Sequence, residues 1–240
     1  MRGLLAAAGY GTRLWPITEN LPKCLVPIAG KPLLIQWLEK LSKLDIAPIL
    51  INAHHHAAQV VTSIKESNFG DLVNVVFEEE LLGTAGTIAR NAEFLTGDAV
   101  FFAHADNYCL SDLSKLIDAH KARPPGVEIS MLTFLTDQPE QCGIVEVDKR
   151  GIVTRLSEKT PNVDGRIANG AVFVISQSVV GEIKQQSDKL FDFSKDVIPR
   201  YINRILTVPA DGAHIDVGTY ENLVKARSLG LEMARERGRD

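Results

Sequence analysis

Short apolar runs alternate with helical patterns through the first half of the chain. The apolar runs predict strands at 3–7, 48–52, 73–78, 99–104 and 128–134. The helical patterns span 32–44, 57–66, 87–94 and 110–122. A strand that is apolar on both faces is usually covered by helices on both sides, and strand–helix alternation favours parallel pairing through right-handed crossovers. The first half therefore predicts an α/β fold with a mostly parallel sheet.

The second half changes to a β-rich pattern. A hairpin is predicted where strands 143–147 and 152–156 flank a polar turn, and another strand follows at 168–175. The remaining predicted elements are helices at 177–186 and 193–203, a strand at 213–216 and a closing helix. Thr219 has the side chain of a helix cap, and the charged tail 235–240 is expected to fray.

Composition limits the classes of protein that fit this pattern. The 240 residues are 45% hydrophobic, which is enough to bury the core of one domain. A formal net charge of −4 argues against a nucleic-acid partner and against an anionic membrane surface. Cys24, Cys109 and Cys142 are widely spaced and odd in number, which favours a reducing cytoplasm over a disulfide framework. The sequence also predicts neither a secretory signal nor a membrane span.

The loop after the first predicted strand combines small residues with two cations. It reads LLAAAGYGTRL from Leu4 to Leu14, and PKCLVP follows from Pro22. Small residues let a ligand approach the backbone, and exposed N–H groups can cradle phosphate. Arg13 and Lys23 supply the positive charge that a polyphosphate needs. The loop therefore predicts a site for a nucleoside triphosphate.

Two other nucleotide-binding motifs fit this loop poorly. A dinucleotide fingerprint needs a third glycine where Leu14 stands, and an acid after the second strand where the chain has Asn52. The common ATPase loop also needs a Gly-Lys-Ser/Thr triplet, which is missing here. An ordinary strand–turn–helix corner would explain the glycines, but not the cations and prolines among them.

The segment from Leu5 to Pro27 resembles the signature loop of the sugar-1-phosphate nucleotidyltransferases. That signature reads Gly-x-Gly-Thr-Arg-Leu-x-Pro, followed by Pro-Lys-x-Leu-x-Pro, and the match is complete. The resemblance implies a Rossmann-like, doubly wound sheet, known as the nucleotide-diphospho-sugar transferase fold. It also implies one catalytic domain over 1–240, with a nucleotide-binding part at about 1–125 and a β-rich sugar-binding part at about 126–240. The C-terminal β-helix of some relatives is not expected, because its hexapeptide repeats are missing.

Nucleotidyl transfer in this family implies that the protein supplies charge and position rather than a nucleophile. An oxygen of the sugar phosphate attacks the α-phosphorus in line, and pyrophosphate leaves. Arg13 is expected to hold the departing β- and γ-phosphates through the N–H donors of its planar guanidinium group. Lys23 is expected to act as a point charge near the α-phosphate or the sugar phosphate.

The reaction also implies Mg²⁺, which prefers carboxylates, phosphate oxygens and water. Asp106 follows the strand at 99–104, and Asp216 closes the strand at 213–216. The family has a metal-binding aspartate at each place, so both are expected to bind Mg²⁺. An aspartate at a strand end is also a common helix cap, and that explanation stays open for each residue taken singly.

Several residues match family positions that contact the nucleotide. These residues are Ala6, Ala8, Gly9, Gly11, Thr12, Glu78, Gly83 and Thr84. The turn from Leu82 to Thr87 resembles the loop that packs against the base, and Glu78 matches the position that reads the base edge. An ionised carboxylate only accepts hydrogen bonds, which suits the N–H donors of guanine better than uracil. A solvated acidic loop is the alternative for Glu78 and the two glutamates that follow it.

On the sugar side, four residues match positions that face the sugar phosphate: Gly143, Glu158, Lys159 and Asn169. Glu158 can accept hydrogen bonds from ring hydroxyls, and Lys159 can hold phosphate. A surface lysine is the plainer explanation for Lys159. The run His54–His56 is assigned to a loop or helix start, since consecutive histidines cannot all point at one ion. Cys24 has no paired base and is predicted to be inert.

The resemblance implies an enzyme that transfers a nucleotidyl group from a nucleoside triphosphate to a sugar-1-phosphate and releases pyrophosphate, and the cysteine pattern favours a cytoplasmic location. GTP with mannose- or heptose-1-phosphate is the preferred pair, because the Glu-x-x-x-Leu-Gly-Thr-Ala-Gly match is typical of those guanylyltransferases. The product would serve capsule, lipopolysaccharide or glycoprotein assembly. Alternatives are transfer from another nucleotide to another sugar phosphate or to phosphocholine, a glycosyltransferase of related fold, and a regulatory subunit that senses nucleotide or sugar. The oligomeric state, a homodimer included, stays open.

Overall fold

The structure is a computed structural model, and it describes residues 1–237. The final helix continues to Arg237, so the last three residues of the predicted frayed tail at 235–240 lie outside the described part. Thr219 caps this helix as predicted, since its hydroxyl accepts a hydrogen bond from the Asn222 amide at 3.3 Å. Among the described residues, no helix combines the length and the apolar character that a membrane crossing requires.

Residues 1–237 form thirteen strands and six α-helices. In chain order the strands are β1 (Arg2–Ala6), β2 (Pro27–Ile28), β3 (Lys31–Pro32), β4 (Ile49–Ala53), β5 (Val73–Phe77), β6 (Ala99–His104), β7 (Asn107–Cys109), β8 (Ile129–Leu135), β9 (Gly143–Val147), β10 (Val153–Glu158), β11 (Ile167–Ser176), β12 (Ile205–Pro209) and β13 (His214–Asp216). The helices are α1 (Leu33–Lys43), α2 (Ala57–Lys65), α3 (Gly83–Arg90), α4 (Ser114–Lys121), α5 (Gln177–Gln185) and α6 (Tyr220–Arg237). Every strand and helix predicted for the first half has a counterpart, although α3 covers Gly83–Arg90 instead of the predicted 87–94.

Nine strands form one sheet in the order β10-β9-β11-β6-β1-β4-β5, and β8 pairs with β11 and β12. Parallel pairs join β4 to β5 and β8 to β12, in agreement with the apolar character of these strands. Antiparallel pairs surround β11, and β9 and β10 form the predicted hairpin. The predicted α/β class with a β-rich second part is confirmed.

The chain divides into two compact units. The first, called the Lys23 unit, comprises 5–81, 104–110 and the described chain from 213 onwards. One core cluster of this unit is formed by Leu14, Val26, Ile28, Leu33, Tyr108, Ile215, Val217, Leu223 and Ala226. Helix α1 buries Trp37, whose Nε1 donates a hydrogen bond to the Asn107 carbonyl at 2.9 Å. This bond fixes β7 against α1, although the three residues of β7 were too few to predict as a strand.

The second, called the Glu158 unit, comprises 1–4, 82–103 and 111–212. Three buried rings form its aromatic core: Phe102 and Phe173 stack with centroids 5.6 Å apart, and Phe193 packs against Phe102 at 5.2 Å. Strand β12 belongs to this unit and was missed by the sequence prediction. Its five residues lie beside β8 in parallel register, from Ile205 opposite Ile129 onwards.

The helix predicted at 193–203 is wrong. The chain forms a π-helical turn over Phe193–Val197 and then a 3-10 turn over Ile198–Tyr201. Pro199 has no N–H to donate to the carbonyl four residues before it, so an α-helix cannot run through this position. Arg200 Nε instead donates to the Asp196 carbonyl at 3.0 Å, which satisfies one acceptor that the broken helix leaves.

The turn predicted from Leu82 to Thr87 is also wrong, because α3 begins at Gly83 rather than at Thr87. The first N–H groups of a helix have no partner within it. Here the Ala85 amide donates to the Phe191 carbonyl at 3.0 Å. The segment around Phe191 thus provides a tertiary partner for the early helix start, which no local sequence signal reveals.

Candidate active site

Four charged residues of the Lys23 unit meet at one point. The Lys23 ammonium makes a short contact with an Asp106 carboxylate oxygen and lies 3.3 Å from Asp216 Oδ1. Arg13 Nη2 lies 4.0 Å from the other oxygen of Asp216. The Lys23 side chain is 10% exposed and the Arg13 side chain 60% exposed. Lys23 therefore lies at the base of this four-charge cluster, and Arg13 lies on its solvent side.

Backbone pairing brings the two acids together. Strands β7 and β13 pair antiparallel, with Asp216 opposite Asn107. The Val217 amide also donates to the Asp106 carbonyl at 3.2 Å. Tyr108 and Val217, which follow the acids closely, are buried in the core cluster of the unit. The packing of Tyr108 and Val217 in the core thus fixes the backbone beside both carboxylates.

The loop that carries the cations is held in a shape that needs glycine at one position. Gly11 has φ +68°, and a Cβ there would lie 3.1 Å from Cβ of Lys23. The Thr18 hydroxyl donates to the Gly11 carbonyl at 2.7 Å, and the short 3-10 turn Thr12–Leu14 follows. The loop thus has little room for a side chain at Gly11, and Leu14 anchors it in the core.

Gly218 is a site residue that the sequence prediction missed. A Cβ at this position would lie 2.7 Å from Arg13 Nη2 and 3.0 Å from Asp216 Oδ1. Because glycine has no Cβ at position 218, Arg13 can approach Asp216. The available signal was a glycine two residues after an acid at a strand end.

Opposing effects set the protonation of the cluster. Burial alone would lower the pKa of Lys23, but the charges of Asp106 and Asp216 outweigh it and the pKa is raised. Burial alone would raise the pKa of Asp106, but Lys23 and then His104 outweigh it and the pKa is lowered. Near neutral pH the ammonium therefore keeps its proton and Asp106 is ionised.

Cys24 lies directly after Lys23 and is 1% exposed. Burial, followed by the negative charge of Asp106, raises the pKa of its thiol to about 12. A thiol that stays protonated is a poor nucleophile, which agrees with the prediction that Cys24 is inert.

Glu78 forms a second polar centre in the same unit. Its side chain is buried, and Oε1 accepts a hydrogen bond from Asn52 Nδ2 at 3.0 Å. Asn52 Oδ1 in turn accepts from the Ala7 amide at 2.7 Å. Asn52 thereby joins the loop after β1 to Glu78, a role that the sequence prediction missed. A solvated acidic loop is the wrong description for Glu78, although Glu79 and Glu80 are exposed.

His54 connects the same two segments by another route. Its Nδ1 is 2.7 Å from the Glu78 carbonyl oxygen, and its Nε2 is 2.8 Å from the Tyr10 hydroxyl. The carbonyl can only accept, so Nδ1 carries a proton in this arrangement. His56 ends the loop immediately before α2, so the run His54–His56 lies at a loop and helix start as predicted.

The other residues predicted to contact the nucleotide fall in both units. In the Lys23 unit, the Ala6 carbonyl accepts a hydrogen bond from the Ala105 amide at 2.9 Å, and Ala8 is buried. A Cβ at Gly9 would meet no described atom within 4 Å. In the Glu158 unit, Gly83 has φ +70° and a Cβ there would overlap Phe191. The Thr84 hydroxyl accepts from the Phe193 amide at 2.7 Å.

The residues predicted for the sugar phosphate lie on neighbouring strands of the Glu158 unit. Glu158 on β10 is directly opposite Gly143 on β9, and Lys159 follows with φ +45°. Asn169 on β11 accepts from the Ala171 amide at 2.9 Å and donates to the Ser194 hydroxyl at 3.3 Å. The sheet thus brings Gly143 and Glu158 together and holds the Asn169 amide in one orientation.

Glu158 has the features of a ligand-binding acid. Its Oε2 is buried and has no hydrogen-bond partner among the described residues. Burial raises the pKa of this carboxyl, and the positive charge of Lys159 opposes the rise. A buried acceptor without a donor is costly, so this oxygen suits a hydroxyl or amine donor of a ligand.

The four-charge cluster also fits a divalent cation. Oxygens of Asp106 and Asp216 approach one point, now taken by the Lys23 ammonium. Within residues 1–237, no group of three or more His, Cys, Asp or Glu side chains could hold a metal ion. Two carboxylates without further protein ligands suit Mg²⁺ that also binds substrate phosphates and water, and not a closed structural metal site.

Comparison with known proteins identifies the family of this chain. The Nucleotidyl transferase family matches this chain over residues 2–232. The chain belongs to the nucleotidyl transferase family. Curated relatives of this chain are named mannose-1-phosphate guanyltransferases, which confirms its resemblance to the sugar-1-phosphate nucleotidyltransferases. One relative, the mannose-1-phosphate guanyltransferase of Debaryomyces hansenii, is 26% identical over 96% of this chain. The match covers 65% of that relative, so the chain spans about two thirds of its length.

Solved structures share the fold. A Bacillus anthracis structure in complex with a sucrose, named provisionally as a glucose-1-phosphate thymidylyltransferase, superposes with a TM-score of 0.84 at 21% identity, covering 96% of this chain and 95% of the other. HddC from Yersinia pseudotuberculosis, complexed with GMP-PN, gives a TM-score of 0.78 at 24% identity over 95% and 98% of the two chains. These likenesses confirm the nucleotide-diphospho-sugar transferase fold.

Proposed function

We propose that this protein is a Mg²⁺-dependent guanylyltransferase that converts GTP and mannose- or heptose-1-phosphate to the GDP-sugar and pyrophosphate. The observation that carries this proposal is the four-charge cluster. Arg13, Lys23, Asp106 and Asp216 combine two cations for phosphate with two carboxylates for a metal, within one compact unit. Family membership supports the same reaction class.

The chain contributes charge and position to the reaction. A phosphate oxygen of the sugar-1-phosphate attacks the α-phosphorus, and the bond from that phosphorus to the β-phosphate oxygen breaks. Arg13, which is exposed at the mouth of the cluster, holds the departing β- and γ-phosphates. Lys23 stabilises the charge that develops at the α-phosphate. Bound Mg²⁺, held by Asp106 and Asp216, would neutralise phosphate oxygens.

Guanine is the proposed base because Glu78 is a buried acceptor. Asn52 and the chain around His54 hold this acid in position. The name of the Debaryomyces hansenii relative and the GMP-PN complex of HddC support the same base. The alternative is uridylyl, thymidylyl or cytidylyl transfer, and the name of the Bacillus anthracis structure supports the thymidylyl case.

The sugar-1-phosphate is proposed to bind in the Glu158 unit. The buried Oε2 of Glu158 would accept from a ring hydroxyl, Lys159 would contact the phosphate, and Gly143 and Asn169 would line the same sheet. Cytoplasmic location, a homodimer, and a role in capsule or lipopolysaccharide assembly stay predictions.

The test is a matrix of nucleoside triphosphates against phosphorylated acceptors, with pyrophosphate release as the readout. GTP, UTP, dTTP and CTP are each combined with mannose-, heptose- and glucose-1-phosphate and with phosphocholine, with and without Mg²⁺. We expect the highest rate with GTP and either mannose- or heptose-1-phosphate, and none without the metal. Preference for another pair would replace the proposed substrates. Nucleotide binding without pyrophosphate release in any combination would favour a sensing subunit.

A further inference from the structure

We infer that Lys23 is the counter-ion of Asp106 and Asp216 while nucleotide is absent, and that it prevents a free divalent cation from binding until a triphosphate draws it away. The inference rests on the proposed triphosphate and metal site and adds an order of binding to it. The metal enters with the nucleotide and not before it.

The first argument is position. One ammonium contacts both carboxylates, so Lys23 Nζ lies where a cation shared by the two acids would lie. A divalent ion at that point would meet the ammonium at contact distance. Because like charges at contact distance repel each other in a partly buried site, the two cations exclude each other.

The second argument is charge. Arg13 and Lys23 together balance Asp106 and Asp216, so the described cluster is formally neutral without any metal. A divalent cation alone would therefore leave a net charge of about +2, by simple addition, in a partly buried site. A metal–triphosphate complex brings its own negative charge, which cancels this excess. The cluster therefore favours the complex over the free ion.

The third argument is the route by which Lys23 can move. The Asp216 side chain is 52% exposed and the Asp106 side chain 25% exposed, so the cluster opens to solvent past Asp216, where Arg13 also lies. A lysine has a flexible stem and a rotatable ammonium, whereas an arginine has a planar fork. Lys23 can therefore exchange its two carboxylates for phosphate oxygens that arrive from the Asp216 side, and so release both acids for the metal.

The test measures Mn²⁺ as a magnetic substitute for Mg²⁺, with no turnover involved. Free Mn²⁺ is titrated by electron paramagnetic resonance against the wild type, Lys23→Met and Lys23→Gln, each without nucleotide. Lys31→Met serves as the matched control, because Lys31 forms an exposed ion pair with Glu39 instead. We expect the Lys23 variants to bind one Mn²⁺ at least about tenfold more tightly than wild type and control.

Two further measurements separate the possible outcomes. Adding Asp216→Asn to Lys23→Met should remove the gained Mn²⁺ binding, and circular dichroism shows which variants are folded. A folded Lys23→Met or Lys23→Gln that binds Mn²⁺ no better than wild type overturns the inference. Pyrophosphate release by the wild type tests the proposed function separately. An active wild type with unchanged Mn²⁺ affinity in the Lys23 variants would leave the function standing and reject only the binding order.

Discussion

Asn52 donates a hydrogen bond to the buried carboxylate of Glu78, with Nδ2 and Oε1 3.0 Å apart. Parallel pairing of β4 and β5 makes this possible, because Asn52 is the next-to-last residue of β4, opposite Val76, and Glu78 directly follows the end of β5. The same amide group accepts a hydrogen bond from Ala7. One side chain thus holds the acid proposed to read the base and the loop proposed to bind phosphate.

We predict that Glu78→Gln lowers the preference for GTP over UTP by about ten- to a hundredfold in kcat/KM, since a hydrogen bond to a charged group contributes about 1.5–3 kcal/mol. The neutral amide is a weaker acceptor for the guanine N–H groups. Initial rates of pyrophosphate release with each nucleotide measure the ratio. Glu79→Gln, at an exposed neighbouring position, is the control and should change nothing. An unchanged ratio in Glu78→Gln would mean that the base is recognised elsewhere.

We predict that Asp216→Asn and Asp106→Asn each reduce Mg²⁺-dependent turnover by about a hundredfold or more, the range seen when one stabilising group is removed from a transition state. Each substitution removes one proposed metal ligand while keeping the side-chain size. Asp211→Asn, which removes an exposed partner of Lys115, is the control. Turnover that persists in both folded variants would contradict the metal assignment.

We predict opposite effects on stability for alanine at two glycines of the Glu158 unit. Gly83→Ala should lower the free energy of unfolding by about 2 kcal/mol or more, because a left-handed conformation is costly for alanine and the Cβ would overlap Phe191. Gly181→Ala lies within α5 with no described atom within 4 Å of the Cβ, and should raise stability by about 0.5–1 kcal/mol. Urea unfolding measures both. Equal effects of the two substitutions would contradict both the backbone strain and the Phe191 overlap assigned to Gly83.

We predict that stability depends on pH through His120. This side chain is 2% exposed, and burial, followed by the charge of Arg123, lowers its pKa to about 4 from an ordinary 6.5. The unfolded chain therefore binds a proton more readily than the folded one. The contribution of neutral His120 to the free energy of unfolding is therefore complete above about pH 6.5. It is lost as the pH falls towards 4, by up to about 3 kcal/mol.

His120→Gln should remove this part of the pH dependence. Urea unfolding of wild type and variant at several values between pH 7 and 4 gives the comparison, in which the carboxylates titrate alike in both proteins. The wild type should lose more stability than the variant across this window. Parallel curves for the two proteins would contradict the assignment to His120.

Local sequence patterns were sufficient to predict most strands and helices and the loop that carries Arg13 and Lys23. Continuous apolar runs predicted β4 and β6, and the spacing of apolar residues predicted α1. They were insufficient where a partner from elsewhere in the chain decides the conformation. Helix α3 starts early because the segment around Phe191 accepts from its first turn, and the π-helical turn at Phe193–Val197 precedes a proline that bars a regular helix.

The sequence by itself determined the kinds of groups available: two cations in a small-residue loop and two aspartates at strand ends. The sequence can place these groups in a loop or at a strand end, because strand periodicity and turn chemistry depend on residues only a few positions apart. Only the tertiary structure decided that Asp216 lies beside Asp106, with Lys23 between them, and that Asn52 faces Glu78. Those relationships depend on strand register and long-range packing, and residues far apart in the chain acquire them only when the backbone pairs.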